Sequence, residues 1–180
     1  MTNNSLPNCK TEVLFTHDEI LEAVAKVAAR INRDYQEVEC PILLGVLNGS
    51  YAFIGDLLKN VHFECEICFI KLASYIDNAS SGTVRELVGL NCEVKGRHVI
   101  IIEDIVDTGT TVAHLVEMLK ELGVASSKVC TLFYKPECCR EDLKIDYHAL
   151  ELGDQYIFGY GLDYNQRYRN LNEIYAIINE

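Results

Sequence analysis

Three carboxylates and a threonine-rich loop lie close together in the middle of this chain. The apolar residues 99–102 precede them and predict a strand buried on both faces, as in a parallel sheet. Ligands of open α/β sheets bind at the carboxyl ends of the strands, where Glu103 and Asp104 are expected to stand. A third carboxylate, Asp107, then opens a loop whose other residues are Thr108, Gly109, Thr110 and Thr111.

The loop that begins at Asp107 is suited to binding an anion. An amphipathic helix follows it at once, and the backbone N–H groups at a helix start attract negative charge. The hydroxyls of Thr108, Thr110 and Thr111 add further donors. Because carboxylates suit ribose hydroxyls while amides and hydroxyls suit a phosphate, the whole segment predicts a site for a sugar phosphate.

The composition indicates a single well-packed domain. The 180 residues are 49% hydrophobic, which supports one domain over residues 1–180, with residues 1–10 disordered. The formal net charge of −11 opposes a nucleic-acid-binding surface. No apolar run reaches the length of a membrane span, and residues 1–10 lack the apolar core of a signal peptide. We therefore expect a cytoplasmic protein with neither a nucleic-acid nor a membrane partner.

The eight cysteines are spaced in a way that favours neither disulfides nor a metal site. Cys65 and Cys68 fall in an expected strand, where residues three apart point to opposite faces and do not readily share a zinc ion. Cys138 and Cys139 are adjacent, and no second pair has the spacing of a zinc finger. We expect the cysteines to be reduced and mostly buried, with Cys138 and Cys139 the most exposed to oxidation.

Strands and helices alternate along the chain. Thr16 and Glu19 form a capping-box signature, and apolar residues follow at helical spacing, so the first helix is expected to begin here. The later elements expected are strand 42–46, helix 51–58, strands 63–72, 83–88 and 99–102, helix 110–122 ending before Gly123, strand 128–134 and a final segment 171–178. Such alternation predicts an α/β fold with a mostly parallel sheet flanked by helices. The two chain ends are expected to form a small hood over one edge of the sheet.

One segment breaks the alternation of strands and helices. Residues 73–82 are rich in serine, aspartate, asparagine and glycine, which favour turns and loops. A loop of that length within a compact domain is usually functional or mobile. Because it has little to bury, we expect it to be poorly ordered without a ligand and to become ordered when the site is occupied.

The acidic pair followed by Asp-x-Gly-x-Thr resembles the motif with which type I phosphoribosyltransferases bind 5-phosphoribosyl-1-pyrophosphate (PRPP). Further segments are similar to the hypoxanthine-guanine phosphoribosyltransferases, and the resemblance spans residues 43–172. They are Ser74 with Tyr75, Lys135, the aromatic residues 156–160, the run Gly-Tyr-Gly-Leu-Asp-Tyr-Asn at 159–165, and Arg169. The resemblance implies the type I phosphoribosyltransferase fold. It also implies purine salvage, in which the phosphoribosyl group of PRPP is transferred to hypoxanthine or guanine.

The same resemblance implies roles for the residues on the PRPP side. Glu103 and Asp104 would hold the ribose hydroxyls, directly or through Mg²⁺, and Asp163 would hold a second Mg²⁺ on the pyrophosphate. Asp107 would be the catalytic base facing N7 of the purine. The 5′-phosphate would lie in the loop of Asp107, Thr108, Gly109, Thr110 and Thr111, and the pyrophosphate would contact Asn48, Gly49 and Arg169.

On the purine side, the resemblance implies that Lys135 donates to the 6-oxygen and that Tyr156 stacks on the ring. The backbone of Ile157 would meet the exocyclic edge of the base. Ser74 and Tyr75 would form a lid that closes over the site. Because relatives are dimers or tetramers, the resemblance also implies a homodimer or a homotetramer.

The chain departs from the family at Asn48, where relatives generally carry lysine or arginine. The contacts expected from this loop are made largely by its backbone, so we expect the side-chain contact to be lost and the activity to be retained. The peptide bond before this residue can be cis in relatives, so we look for a cis bond between Leu47 and Asn48.

Two other functions remain open at the level of the sequence. A regulator with this fold could sense PRPP and bind RNA or DNA, but Asp107, Lys135, Asp163 and the acidic net charge oppose it. A transferase for adenine or a pyrimidine is opposed by Lys135 and by residues 162–165. The sequence does not rank hypoxanthine, guanine and xanthine, because the group at C2 is expected to be read by backbone carbonyls.

Overall fold

The computed structural model describes residue 7, residues 9–74 and residues 84–178, with the backbone alone at 73, 74 and 84–88. The elements in chain order are β1 (Thr11–Phe15), α1 (His17–Tyr35), β2 (Ile42–Val46), α2 (Tyr51–Leu58), β3 (Glu66–Ser74), β4 (Val84–Val88), β5 (His98–Val106), α3 (Thr110–Glu121), β6 (Ser126–Tyr134), β7 (Tyr147–Glu151), β8 (Ile157–Phe158) and β9 (Ile174–Ile177). Among these described residues, no helix is long and apolar enough to cross a membrane.

The larger of two sheets has six strands in the order β4-β3-β2-β5-β6-β7. The five strands from β3 to β7 in that order run parallel, and β4 is added antiparallel beside β3. The predicted α/β fold with a mostly parallel sheet is thus confirmed, and the predicted strand 83–88 is observed as β4. The smaller antiparallel sheet, β1-β9-β8, is built from the two ends of the chain and forms the predicted hood.

Apolar side chains cover both faces of the larger sheet. On one face, Leu43, Ile100 and Leu132 pack in a cluster with α1 and α2. On the other face, Leu44 and Ile101 pack in a cluster with α3. Alternate residues of a strand point to opposite faces, so a strand covered on both sides needs an unbroken apolar run. This is why residues 99–102 are all apolar and fully buried.

The predicted helices are confirmed nearly residue for residue. Thr16 and Glu19 form the capping box that begins α1: the Glu19 N–H donates to Thr16 Oγ1 at 3.4 Å and the Thr16 N–H donates to Glu19 Oε2 at 2.9 Å. α2 covers the predicted residues 51–58. α3 ends at Glu121, close to the predicted 122, and Gly123 follows with a φ of +76°, a left-handed conformation that glycine adopts readily at a helix end.

The strand that carries the acidic pair is longer than the sequence predicts. β5 runs to Val106 because its parallel pairing with β6 continues as far as Val106 opposite Tyr134. Glu103 and Asp104 therefore lie within the strand, and the expectation that they follow its end is wrong. Extended backbone is maintained here by the neighbouring strand, a tertiary constraint that outweighs the local pattern.

The cysteines differ from the sequence-based expectation. Cys68 and Cys92 form a disulfide, so the expectation of no disulfide is wrong for this pair. The two residues are 24 positions apart, and only the fold brings them together. Cys65 and Cys68 do contribute to opposite faces of the sheet, as predicted. Among the free cysteines of the described ranges, Cys130 is buried and Cys138 is exposed, while the others are half-buried, so the expectation of mostly buried cysteines is also wrong.

Two predicted features fall on residues that the structure does not describe. The predicted loop 73–82 lies there except for the backbone of its first two residues, at the end of β3. Most of residues 1–10 also lie outside the described ranges. The order of both segments therefore stays a prediction.

A tyrosine–aspartate hydrogen bond joins β7 to α1. The buried Tyr147 hydroxyl donates to Asp34 Oδ2 at 2.7 Å, and this hydrogen bond is the main reason that the pKa of Asp34 lies below its ordinary value. We expect Tyr147→Phe to lower the free energy of unfolding at pH 7 by about 1–2 kcal/mol, because a hydrogen bond to a charged group is lost. For a domain of this size the melting temperature would fall by about 2–4 °C per kcal/mol.

The pH dependence of that loss follows from the pKa of Asp34. A carboxyl whose pKa is lowered in the folded state stabilises the fold above its unfolded pKa, and the effect is lost as the pH falls through the folded pKa. The difference in melting temperature between wild type and Tyr147→Phe should therefore shrink from pH 7 towards pH 3. Thermal unfolding followed by circular dichroism measures it, and equal stability at pH 7 would contradict the role assigned to the hydrogen bond.

Candidate active site

Two adjoining cavities open at the carboxyl edge of the larger sheet. The first, which we call the loop cavity, has a volume of about 320 Å³ and lies between the loops that follow β2 and β5. The second, the aromatic cavity, has a volume of about 240 Å³ and lies between Lys135 after β6 and Tyr156 before β8. The two share a wall formed by Asp104, Ile105, Asp107 and Asp163. They therefore form one cleft with two compartments.

The loop that begins at Asp107 forms one side of the loop cavity. Gly109 is the N-cap of α3, with a φ of +77°, and it supplies no side-chain cap. A side chain there would be crowded as well as strained, since an added Cβ would lie 2.6 Å from Leu143 Cδ2. Thr108 Oγ1 lies 3.1 Å from Thr110 Oγ1, so the two hydroxyls are adjacent. The first turn of α3 and these hydroxyls together offer donors to an anion.

The acidic pair of β5 lines the loop cavity, and its second residue, Asp104, also lines the aromatic cavity. Glu103 is buried with 7% of its surface exposed, and its Oε1 accepts a hydrogen bond from the Asp104 N–H at 3.1 Å. Burial, reinforced by the negative charge of Asp104, raises the pKa of Glu103 well above its ordinary value. Two carboxylates this close repel each other, and a cation bound beside them would relieve the repulsion.

The loop after β2 closes against this acidic pair. The bond between Leu47 and Asn48 is a cis peptide bond, as the resemblance implies. An added Cβ at Gly49 would overlap the Asp104 carboxylate, so only glycine fits beside it. The buried Ser50 donates from its Oγ to the Val46 carbonyl at 2.6 Å, which fixes the loop from within.

Lys135 supplies a buried cation to the aromatic cavity. The side chain of Lys135 is 8% exposed. The backbone N–H of Lys135 donates to the Val106 carbonyl at 3.0 Å, which fixes the start of the loop after β6. Its Nζ lies 3.7 Å from Asp107 Oδ2 and 4.0 Å from Asp154 Oδ1. A buried ammonium needs such partners, because an unpaired charge is costly to remove from water. It faces the cavity with donors and no acceptor.

The opposite wall of the cleft comes from the segment before and after β8. Tyr156 is 54% exposed, and its hydroxyl donates to the Asp163 carbonyl at 3.3 Å. The Asp163 carboxylate in turn pairs with Arg169, with 2.6 Å between Oδ1 and the guanidinium Nη2. The second nitrogen of that guanidinium donates to the Gly161 carbonyl at 2.8 Å. The carboxylate of Asp163 and the carbonyl of Gly161 thus fix the orientation of the planar guanidinium, and with it the direction of its N–H donors in the loop cavity.

The structure brings together nearly all the site residues that the sequence suggested. The loop cavity is lined by Asn48, Gly49, Glu103, Asp104, Asp107, Thr108, Gly109, Thr110, Thr111, Asp163 and Arg169. The aromatic cavity is lined by Asp104, Asp107, Lys135, Tyr156, Ile157 and Asp163. Of the two lid residues, Ser74 ends β3 with its side chain outside the description, and Tyr75 lies outside the described residues.

Several apolar residues and one glutamine also line the cleft, and sequence reasoning did not assign them to the site. Gln155 and Leu162 line the aromatic cavity and Leu72 lines the loop cavity. The first two adjoin residues that the motifs single out, so their positions carried a signal. Leu72 is an apolar residue of a buried strand, and only the fold shows that it reaches the cleft.

The comparison with known proteins agrees with this geometry. Residues 11–166 match the phosphoribosyl transferase domain family. The chain is 41% identical over 167 residues to a hypoxanthine-guanine phosphoribosyltransferase of Streptococcus pneumoniae, which covers 92% of both chains. It is 38% identical over 161 residues to that of Bacillus subtilis, with 89% of each covered. This chain belongs to the hypoxanthine-guanine phosphoribosyltransferase family.

The solved structures of this family have the same fold. A crystal structure of a hypoxanthine phosphoribosyltransferase from Staphylococcus aureus matches with a TM-score of 0.90 at 33% identity, covering 98% of this chain and 97% of that one. A hypoxanthine-guanine phosphoribosyltransferase from Bacillus anthracis matches with a TM-score of 0.89 at 32% identity, covering 95% and 100%. The fold and the family predicted from the sequence are both confirmed.

The close contact at Gly49 leads to a testable prediction. Gly49→Ala would force either the loop after β2 or the Asp104 carboxylate out of place. We expect phosphoribosyltransferase activity to fall about 10²-fold, the size of effect that a displacement near 1 Å produces in an active site. Gly55→Ala in α2 is the matched control, because its added Cβ meets no atom within 4 Å.

The control should keep its activity and gain about 0.5–1 kcal/mol in stability, since alanine favours a helix over glycine. Steady-state turnover and thermal unfolding of both variants provide the measurement. Full activity in Gly49→Ala would contradict the prediction, because it would mean that the loop accommodates a methyl group beside the Asp104 carboxylate.

Proposed function

We propose that this protein transfers the 5-phosphoribosyl group of PRPP to hypoxanthine or guanine, forming IMP or GMP and releasing pyrophosphate, in purine salvage. The observation that carries the proposal is the pair of compartments with a shared acidic wall. One holds a loop suited to phosphate, and the other holds a buried lysine and an exposed tyrosine. A sugar that joins a phosphate to a purine would lie against the wall between them.

The PRPP molecule would lie along the loop cavity. The amides and hydroxyls of residues 107–111 would hold the 5′-phosphate, and Glu103 and Asp104 would face the ribose hydroxyls. The pyrophosphate would lie between Gly49 and Arg169, which line the opposite part of the same cavity. Asn48 brings no charge, so we assign the contact at that position to the backbone of the loop.

The purine would lie in the aromatic cavity. Lys135 would donate to the 6-oxygen, Tyr156 would stack on the ring, and the backbone of Ile157 would meet its exocyclic edge. In the reaction the bond from C1′ to pyrophosphate breaks, and its electron pair leaves with the pyrophosphate. The purine nitrogen forms the new bond to C1′, while a proton leaves the base. We assign Asp107 as the group that takes this proton, since it borders both compartments.

We assign Mg²⁺ as the cofactor, held by Glu103, Asp104 and Asp163. All three are carboxylates, and Mg²⁺ favours oxygen ligands from one or two carboxylates together with substrate phosphates. Burial is the main reason that the pKa of Glu103 is raised, and the negative charge of Asp104 adds to it; a cation bound beside the pair would relieve this second contribution. When bound, Mg²⁺ neutralises charge that develops on the leaving pyrophosphate. The protein's own contribution there is Arg169, whose guanidinium is already oriented by Asp163.

Further parts of the proposal come from the family resemblance. Residues 1–180 would act as one domain, assembled as a homodimer or homotetramer in the cytoplasm. Ser74 and Tyr75 would close over the bound substrates and exclude water, which would otherwise hydrolyse PRPP. Size-exclusion chromatography with light scattering tests the assembly, and hydrogen exchange with and without bound substrates tests the closure.

The role of Asp107 leads to a prediction on turnover. Asp107→Asn keeps the size and one acceptor of the side chain but removes its basicity. We expect kcat to fall by about 10²-fold or more, with substrate KM values affected less. Steady-state kinetics for hypoxanthine measure both constants, and circular dichroism controls for the fold. A near-normal kcat would reduce Asp107 to a structural residue of the loop.

The choice of base tests the assigned function most directly. Kinetics with hypoxanthine, guanine, xanthine and adenine should show a strong preference for the 6-oxopurines. Lys135 offers only donors, so the 6-amino group of adenine would oppose it and leave a buried charge unpaired. Such a mismatch supports discrimination of about 10⁴-fold.

Removing the ammonium should weaken that preference. In Lys135→Ala we expect a higher KM for hypoxanthine, a smaller preference over adenine and little change in the KM for PRPP. Lys144→Ala is the control, since Lys144 is exposed, pairs with Asp146 and lines neither cavity. A wild-type protein that used adenine as readily as hypoxanthine would refute both the role of Lys135 and the proposed function.

A further inference from the structure

A buried tyrosine links the segment after β8, which forms one wall of the cleft, to α2 through a hydrogen bond. Tyr160 is 4% exposed, and its hydroxyl donates to Asp56 Oδ2 at 2.5 Å. Tyr160 has a φ of +46°, an uncommon left-handed conformation for a residue with a side chain, so surrounding contacts must hold it there. Asp56 belongs to α2, the helix that begins at Tyr51, directly after the Gly49 loop.

The residue after Tyr160 touches that loop. Gly161 has a φ of +99°, and an added Cβ would overlap the carbonyl oxygen of Gly49. The backbone at 161 is therefore in direct contact with the loop to which we assign the pyrophosphate. A displacement of Gly161 would therefore change its contact with the Gly49 carbonyl.

The same residue also holds Arg169. The Gly161 N–H donates to the Arg169 carbonyl at 2.9 Å, and the guanidinium of Arg169 donates back to the Gly161 carbonyl at 2.8 Å. The hydroxyl of Tyr51, at the start of α2, donates to the Arg169 carbonyl at 2.8 Å. Gly49 and Arg169, the two sides of the proposed pyrophosphate site, thus meet at one backbone position.

The charge states support a stable hydrogen bond at this junction. Burial alone would raise the pKa of Asp56, but donors from Lys59 and Tyr160 outweigh it and keep the pKa below its ordinary value. Burial and the neighbouring Asp56 carboxylate raise the pKa of Tyr160. The proton therefore stays on the tyrosine, and the charged aspartate accepts the hydrogen bond, which makes this hydrogen bond a strong one.

We infer that Tyr160 and Asp56 are positioning residues for the pyrophosphate end of the site. Their hydrogen bond holds Gly161 in place, and Gly161 in turn positions the Gly49 loop and the Arg169 guanidinium. Neither Tyr160 nor Asp56 lines the loop cavity or the aromatic cavity, so they act only through these neighbours. The inference rests on the proposed function, and it adds two residues to the proposed site that contact no substrate.

The fold offers a matched control for this hydrogen bond. Tyr147 and Asp34 form the same kind of pair: a buried tyrosine hydroxyl donates to an aspartate on a helix, at 2.7 Å. That pair joins β7 to the last turns of α1 and lines neither cavity. Tyr160→Phe and Tyr147→Phe thus each remove a buried hydroxyl that donates to an aspartate, and only the first lies behind the active site. The Tyr147 hydroxyl also accepts from Lys128 Nζ at 3.0 Å, so its removal is the more demanding control for lost stability.

Steady-state kinetics of the two variants test the inference. We expect Tyr160→Phe to raise the KM for PRPP, and for pyrophosphate in the reverse reaction, by about 5- to 10-fold, which corresponds to the loss of one net hydrogen bond. The KM for hypoxanthine should change by less than about twofold, because the aromatic cavity is bounded by other residues. Tyr147→Phe should lower the melting temperature and leave all three KM values unchanged.

A second pair of variants separates the hydrogen bond from the tyrosine itself. Asp56→Asn keeps an acceptor, so its KM for PRPP should stay close to that of the wild type, whereas Asp56→Ala should resemble Tyr160→Phe. If Tyr160→Phe does not fold, these two variants decide the question. Calorimetric titration with magnesium pyrophosphate gives a readout that does not depend on turnover.

Several outcomes would overturn the inference while leaving the proposed function intact. One is a folded Tyr160→Phe variant whose KM for PRPP and affinity for pyrophosphate equal those of the wild type. Another is an equal rise of the KM for PRPP in Tyr147→Phe, which would show that any loss of stability has this effect. A wild-type protein with no transferase activity would instead refute the proposed function. The wild type is assayed first, so the two failures are distinguished.

Discussion

The parallel pairing of β5 with β2 on one side and β6 on the other is the constraint on which the rest of the structure depends. Because the three strands run the same way, the loops that follow them leave the sheet at one edge. Gly49, Asp107 and Lys135 come from three separate parts of the chain and meet there for this reason. The same pairing extends β5 past its apolar residues, so the acidic pair is held by the ladder rather than by a loop.

A rigid frame of this kind allows the site to contain groups that are unfavourable in a folded protein. Glu103 and Lys135 are charged residue types with almost no exposed surface, and Glu103 lies directly against another carboxylate. The cost is met by the apolar packing on both faces of the sheet, which is independent of the cleft. Under the proposed function, substrate and cation would bind to donors and acceptors that are already in place, so little reorganisation would accompany binding.

Much of this could be predicted from the sequence, where the signals were local. The capping box at Thr16, the helix 51–58 and the Asp-x-Gly-x-Thr loop depend on neighbouring residues, and each was found. Other features depend on residues that are far apart in the chain. They are the full length of β5, the disulfide of Cys68 with Cys92 and the contact of Gly49 with Asp104. No periodicity or spacing reports such contacts. The short strands β1 and β7 were missed because most of their residues are only half-buried or exposed.

The shared wall between the two compartments also bears on how the protein could be inhibited. Asp104, Asp107 and Asp163 border both cavities, so an anion in one and a ring in the other would be separated only by a wall of three carboxylates. A compound that joins a phosphate to a purine-like ring by a compact cationic linker would fill both at once. The second contact would then form within one molecule, at an effective concentration far above that of two separate compounds. The acidic wall would attract the linker itself, which neither half alone exploits.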